Sequence, residues 1–194
     1  MFENTPGFEK IGEDIFAYRG FLSVSELNTI QEKIDSLSED EWKWVAEGAM
    51  ADRVSFPNPF IDFIREKIIA FLPEGYYLGA GTSFVRLFQG DEWWPHVDAH
   101  DYYPIREKAA KLKDGDPFEL VENNRYGIVV YFNNFEGGEI YYPNQGIEFR
   151  QKPGDLIIHS AEENCLHGVK PVLSKIRYSH ASHIYELMKV PIEN

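Results

Sequence analysis

Apolar residues recur at helical spacing in two stretches of the first 72 positions and at strand spacing through most of the remainder. Leu27, Ile30, Ile34 and Leu37 fall three or four apart, the stripe of a helix that buries one face. Ser23 with Glu26 three residues on forms a capping box, so this helix is expected from about Val24 to Leu37. Pro57 and Pro59 open a second helix whose stripe is Phe60, Ile61, Ile64, Ile68 and Phe71, and Pro73 stops it. From Tyr76 the period changes. Strands are expected at Leu78 to Phe88, Arg125 to Asn133, Glu139 to Tyr142, Glu148 to Gln151, Asp155 to His159, Val169 to Val172 and Ile176 to Tyr185, with an earlier one from Ile15. Gly137-Gly138 is read as a hairpin turn, and Pro153-Gly154 suits the centre of a type II turn. About eight short strands at regular spacing favour a sandwich or barrel. Residues Ser38 to Val54 carry no clear period. Asp101 to Asn124 reads as an insertion with a helical patch, Ile105 to Leu112, and an acidic end, Asp114, Asp116, Glu119 and Glu122. A loop of that length is often a lid or binding loop, and equally often a tolerated surface excursion. One domain over 1–194 is expected, with helices in 23–72 packed on a β core of about 76–186.

Composition narrows the class. The chain has 194 residues, 15% aromatic and 26% charged, with a net charge of −13. That is an ordinary globular profile, and it lacks the basic surface that binding nucleic acid requires. A single cysteine, Cys165, excludes an internal disulfide and fits a reducing compartment. The N-terminal residues show no basic region followed by an apolar run, and Ile68 to Leu72 is far too short to span a bilayer. A cytoplasmic protein without a membrane segment is the expectation.

The candidate chemistry sits in Trp94-Pro95-His96-Val97-Asp98-Ala99-His100-Asp101. His96 and Asp98 are two apart, so on an extended strand an imidazole and a carboxylate face the same way. His167, in Cys165-Leu166-His167-Gly168-Val169, offers a third ligand, and Arg177 follows ten residues later. Two His and one carboxylate make the facial triad of non-haem Fe(II) oxygenases. Taken singly, each piece is weak: surface turns produce H-x-D often, and a lone His is usually solvated or a satisfied core residue. The case rests on order and setting together. His100 could compete as a ligand but is read as outside the first set of ligands. His159 and His180 have no partner visible in sequence and are read as ordinary, while Trp93 and Trp94 either line the mouth or cover the core, core cover being the favoured reading. Arg177, Ser179 and His183 share parity on one strand, and Gly127, Val129, Tyr131 and Asn133 share a face on another. An arginine aimed into a barrel needs an anion, supplied either by a ligand carboxylate or by a structural Asp or Glu.

His96-Val97-Asp98, Gly137-Gly138-Glu139, Lys152-Pro153-Gly154-Asp155, His167 and Arg177-Tyr178-Ser179 stand in the order found in 2-oxoglutarate/Fe(II) dioxygenases. The chain resembles that superfamily, and within it the prolyl 4-hydroxylase-like branch, over about Thr82 to Tyr185. The resemblance implies a mainly β protein with flanking α-helices, a double-stranded β-helix or jelly roll. It implies His96, Asp98 and His167 as iron ligands and Arg177 as the partner of the distal carboxylate of 2-oxoglutarate. Tyr131, Ser179, His183 and Asn133 complete the expected cosubstrate pocket. Two departures are visible. His183 stands where relatives often carry a tryptophan, and Leu87-Phe88 where many place a tyrosine ahead of the metal motif.

The activity so implied is hydroxylation of a prolyl residue in a protein or peptide. It consumes O2 and 2-oxoglutarate and releases succinate and CO2, with ascorbate as an accessory reductant. Hydroxylation of a free amino acid or other small molecule on the same scaffold is the alternative. A nucleic-acid demethylase is disfavoured by the acidic charge and by His at position 183, where that branch carries a second arginine. A non-catalytic metal-binding barrel is the reading from a different class. Oligomeric state is not legible.

Overall fold

The computed structural model describes residues 2–44, 52–55, 59–79, 83–98 and 102–192. In chain order the strands and helices are β1 (Phe8–Gly12), β2 (Ile15–Tyr18), α1 (Val24–Ser36), β3 (Lys43–Trp44), β4 (Asp52–Ser55) and α2 (Pro59–Ile69). Then come β5 (Tyr76–Leu78), β6 (Ser83–Leu87), β7 (Trp93–His96), α3 (Tyr102–Ala109) and β8 (Phe118–Tyr131). The chain ends with β9 (Glu136–Gly137), β10 (Ile140–Tyr142), β11 (Ile147–Phe149), β12 (Leu156–Ser160), β13 (His167–Val169), β14 (Val172–Ser174) and β15 (Arg177–Pro191). Among the described residues no helix is long and apolar enough to cross a membrane.

The strands form a jelly roll, mainly β with flanking helices. One sheet runs β1-β2-β12-β8-β15-β6-β4-β3, with β5 also on β15, and a smaller sheet runs β11-β10-β13-β7. The two faces of the large sheet do different work, because side chains alternate along each strand. Tyr126, Ile128 and Val130 of β8, Leu156 and Ile158 of β12 and Phe16 of β2 point toward the helices, where Ile30, Ile34, Ile64 and Ile68 complete one core. Tyr131, Ile157, Ile15 and Ala17 point toward the small sheet and meet Ile140, Tyr142 and Phe149. Gly127 shares a face with Tyr131, so the space above it belongs to the inter-sheet side. Helix α1 starts as the capping box requires: Ser23 Oγ accepts from the Glu26 amide at 3.3 Å, and Glu26 Oε2 accepts from the Ser23 amide at 2.7 Å. Lys67 of α2 ties the helices together through Glu26, at 2.8 Å.

Several expectations change. Gly137-Gly138 does not turn a hairpin: β9 pairs with β14, while β10 pairs with β11 and β13. Both glycines have positive φ, 70° and 62°, so they redirect the chain between two sheets instead of folding it back. The run expected from Leu78 to Phe88 is two strands, β5 and β6. The insertion is not a loop throughout. Its helix is Tyr102–Ala109, earlier than the patch expected from Ile105 to Leu112, and its second half belongs to β8. β1 and β2 lie within the large sheet, so the β core is not confined to 76–186. Pro153-Gly154 behaves as expected: Gly154 has φ 86°, and the Asp155 amide donates to Lys152 O at 3.0 Å. Pro57, Thr82, His100 and Asp101 lie outside the described residues.

Candidate metal centre

β7 and β13 are antiparallel neighbours, and their register sets His96 directly opposite His167. Asp98 follows where β7 ends. Its Oδ1 is 3.7 Å from His96 Nε2 and 3.9 Å from His167 Nε2. One donor atom from each of the three lies within 4.8 Å of the others, and among the described residues no other His, Cys, Asp and Glu group does this. The ring orientations suit metal binding. His96 Nδ1 is 2.9 Å from Trp94 O and His167 Nδ1 is 3.0 Å from Cys165 O. A carbonyl only accepts, so each Nδ1 carries the hydrogen and each Nε2 presents its lone pair. Burial, helped by neighbouring His159, pushes the His167 pKa down to about 3, which keeps this imidazole neutral. Two imidazoles and one carboxylate match the donor set of Fe(II) in a facial triad.

The second oxygen of Asp98 is held from the large sheet. His159 Nε2 donates to Asp98 Oδ2 at 3.1 Å, and Tyr142 Oη donates to His159 Nδ1 at 2.9 Å. His159 and Tyr142 are buried. Burial works to raise the Asp98 pKa, but hydrogen bonding to His159 and His183 outweighs it and holds the carboxyl well below its ordinary range. Gly127 makes the approach feasible: a Cβ there would stand 2.2 Å from Asp98 Oδ2 and 2.6 Å from His159 Nε2. Across three strands His159, Gly127 and His183 are register partners, with the glycine in the middle. The Asn124 side chain donates to the Asp98 carbonyl at 3.2 Å and anchors the backbone of the motif.

His96, Asp98, Gly127, His159 and His167 line a cavity that also receives Trp93, Val85, Arg177, Ser179 and His183. Arg177 is only 3% exposed. Its Nη1 donates to Ser179 Oγ at 3.2 Å, its guanidinium carbon lies 5.2 Å from the centre of the Tyr131 ring, and no carboxylate among the described residues pairs with it. Arg177 Nε and the Tyr131 hydroxyl are both buried without a hydrogen-bond partner. An unmet Nε on the buried guanidinium and an unmet hydroxyl beside it fit a ligand carboxylate, since leaving them unmet is costly.

The sequence-derived residues sort as follows. His96, Asp98, His167, Arg177, Ser179 and His183 converge on one cavity. Tyr131 lies beneath Arg177. Asn133 does not reach the cavity: its side chain donates to Ile176 O at 2.7 Å and accepts from the Tyr178 amide at 2.9 Å, a brace between strands. Trp93 covers the Val85, Leu87, Val169 and Val172 cluster and also lines the cavity, whereas Trp94 is 76% exposed and is not core cover. His159 is not an ordinary histidine. Its link to Asp98, with Tyr142 and Gly127, is what sequence reasoning missed. The only prior signal was that His159 shares parity with the apolar Ile157, and the pairing of β12 with β8 that brings it to Asp98 leaves no local trace. Leu87, one of the departures, is buried opposite Arg177 in the ladder.

Fold and donors together define a class: a jelly roll carrying a two-histidine, one-carboxylate donor set that could hold a metal ion, beside a buried arginine. No protein-family model matches the sequence, and no curated protein matches it. Solved structures do match in fold. A viral collagen prolyl hydroxylase from Paramecium Bursaria Chlorella virus-1, in complex with 2OG, superposes with a TM-score of 0.66 at 19% identity, over 90% of this chain and 97% of that one. A prolyl hydroxylase from Trichoplax adhaerens, in complex with a hypoxia inducible factor peptide fragment, gives 0.66 at 12% identity, over 95% and 86%. HygX from Streptomyces hygroscopicus, with nickel and 2-oxoglutarate bound, gives 0.61 at 12% identity, over 89% and 82%. The chain thus has the fold of prolyl hydroxylases and other 2-oxoglutarate oxygenases.

Proposed function

We propose that this chain is an Fe(II)- and 2-oxoglutarate-dependent oxygenase that hydroxylates a prolyl residue in a protein or peptide. The observation that carries this reading is one cavity holding both a His96–Asp98–His167 donor set and a buried Arg177 with no carboxylate of its own among the described residues. When bound, iron and 2-oxoglutarate supply oxidative decarboxylation coupled to oxygen insertion, with succinate and CO2 as products. The protein's part is positioning. His96 and His167 offer Nε2 because their backbone partners hold the tautomer. Asp98 offers Oδ1 because His159 occupies Oδ2. Arg177, Ser179 and Tyr131 supply the donors for the distal carboxylate, at the inner end where water is excluded. Val85, Val129 and Val169 give the rest of the cavity apolar walls. Ascorbate as accessory reductant and a cytoplasmic location belong to the same reading.

The prolyl assignment draws on two of the fold relatives. A small molecule is the second reading, and it draws on HygX, one of whose structures also contains hygromycin B. Succinate formation from 2-oxoglutarate under oxygen, with a panel of proline peptides and free amino acids, separates them. Stimulation by peptides supports the first reading and stimulation by amino acids alone the second. Failure to turn over 2-oxoglutarate under any condition removes both and leaves a non-catalytic metal-binding barrel.

A further inference from the structure

Among the described residues three imidazoles, rather than two, face Asp98 Oδ1. His183 Nε2 stands 3.7 Å from that oxygen, the same distance as His96 Nε2 and slightly inside the 3.9 Å of His167 Nε2. His96 and His167 stand on the small sheet, whereas His183 comes from β15 of the large one. The way between them is open because the register partner of His183 on β8 is Gly127, where a Cβ would lie 2.2 Å from Asp98 Oδ2. A bulge beside Arg125, just beyond that glycine, takes the outer half of β8 out of the alternation.

The two histidines that reach Asp98 from the large sheet differ in kind. The His159 ring is buried, donates to Oδ2 at 3.1 Å and is pinned from behind by the Tyr142 hydroxyl. The His183 side chain is 39% exposed, and Asp98 Oδ1 is the one polar contact of its ring among the described residues. At 3.7 Å that contact is weak as a hydrogen bond. It does suit two donors of a common ion: groups each about 2.1 Å from one metal stand about 3.0–4.2 Å apart, from a right angle to a straight line. His183 lies outside the set of donor atoms within 4.8 Å of one another, so it reaches the ion by turning about its own side-chain bonds. Its place where two cavities meet leaves space for that turn.

We propose that His183 is a fourth, displaceable protein ligand: without cosubstrate its Nε2 occupies a metal position that 2-oxoglutarate must clear. The inference rests on the oxygenase reading above and adds a resting state to it. The exchange is a ligand substitution, one metal–nitrogen bond given up for one metal–oxygen bond, with no change in oxidation state. Arg177 and His183 line the same cavity from the same face of β15. An anion held by Arg177 and the His183 imidazole therefore approach the ion from one sheet and compete for the positions that the triad leaves open. A fixed fourth ligand would leave too few positions for cosubstrate and oxygen, whereas a displaceable one does not.

The test counts nitrogens. Pulsed EPR of the full-length protein loaded with Cu(II), standing in for Fe(II), detects the remote nitrogen of each coordinated imidazole. The wild type should show three coordinated imidazoles, falling to two when 2-oxoglutarate is added, and His183→Phe should show two throughout. Anaerobic calorimetry with Fe(II) gives an independent readout. His183→Phe should weaken Fe(II) binding about tenfold and tighten 2-oxoglutarate binding to the iron-loaded protein by the same factor, because both report one equilibrium between closed and open sites. Two imidazoles in the wild type without 2-oxoglutarate overturn the proposal, as do three that persist once 2-oxoglutarate is bound. So does a variant whose 2-oxoglutarate affinity falls or stays put, the behaviour of a histidine that only balances the Asp98 charge or only touches substrate. No 2-oxoglutarate binding to the iron-loaded wild type overturns the oxygenase reading itself, and the fourth ligand with it.

Discussion

Asp98 is the residue on which the site turns, because histidines of both sheets converge on its carboxylate. Oδ1 faces His96 and His167 of the small sheet together with His183 of the large one, and Oδ2 faces His159 alone among the described residues. Removing His167 with Ala should abolish metal-dependent turnover, and full iron affinity in that variant would show the ligand assignment to be wrong. His159→Ala leaves Oδ2 without its donor, and iron affinity measured by calorimetry should fall by about 10–100-fold, the usual cost of losing a partner that orients a ligand. Arg177→Ala should weaken 2-oxoglutarate binding by about 2–5 kcal/mol, as when one partner of a buried charge pair is truncated. Acid should destabilise the metal-free protein through His167. The folded-state pKa, about 3, lies below the ordinary 6.5, so the unfolded chain binds more protons between these values. Stability is fully present above pH 6.5 and falls as pH drops through that window, by at most ~1.4 kcal/mol per pH unit for one proton. Denaturant titrations at several pH values should show a shallower fall in His167→Gln than in the wild type. Equal slopes would mean that His167 is not held neutral by burial. His96, Asp98, His167 and Arg177 were legible in sequence because each stands in a short pattern with chemical meaning. His159, Tyr142 and Gly127 were not, because their roles exist only once three distant strands are paired.

At the scale of elements, local signals and long-range ones fared differently. The capping box at Ser23 and the turn at Pro153-Gly154 are encoded within four residues, and both form. Ser23→Ala should cost about 1 kcal/mol of stability in a denaturant titration. The turn also carries a long-range duty. Asp155, buried, accepts from the Lys152 amide at 2.9 Å, the Gly20 amide at 3.0 Å and Arg19 at 2.6 Å, which clamps the chain after β2 to the turn before β12. Asp155→Ala frees the Lys152 and Gly20 amides and Arg19, all on exposed residues that water can reach, so it should cost about 1 kcal/mol, the net worth of hydrogen bonds given up to solvent. An unchanged denaturation midpoint would show that the clamp is dispensable. The Gly137-Gly138 hairpin and the 101–124 loop failed for a common reason. Partners for β9 and for the outer half of β8 lie far along the chain, on β14 and β15, and neither alternation nor turn residues name a distant partner. The bulge beside Arg125 is the sharpest case, since one extra residue decides which side chains face the cavity.

For the whole molecule, two sheets divide the labour: the small one brings His96 and His167 together, and the large one contributes the arginine and the His159 clamp on Asp98. The jelly roll was legible because repeated short strands and the motif order agree. The substrate was not, since no short pattern in the chain names one. The most direct measurement is an anaerobic calorimetric titration of 2-oxoglutarate into the protein with and without Fe(II), repeated for Arg177→Ala. Binding should require the metal and should weaken strongly in the variant. Equal affinity with and without iron, or with and without the arginine, would contradict a shared site for metal and cosubstrate.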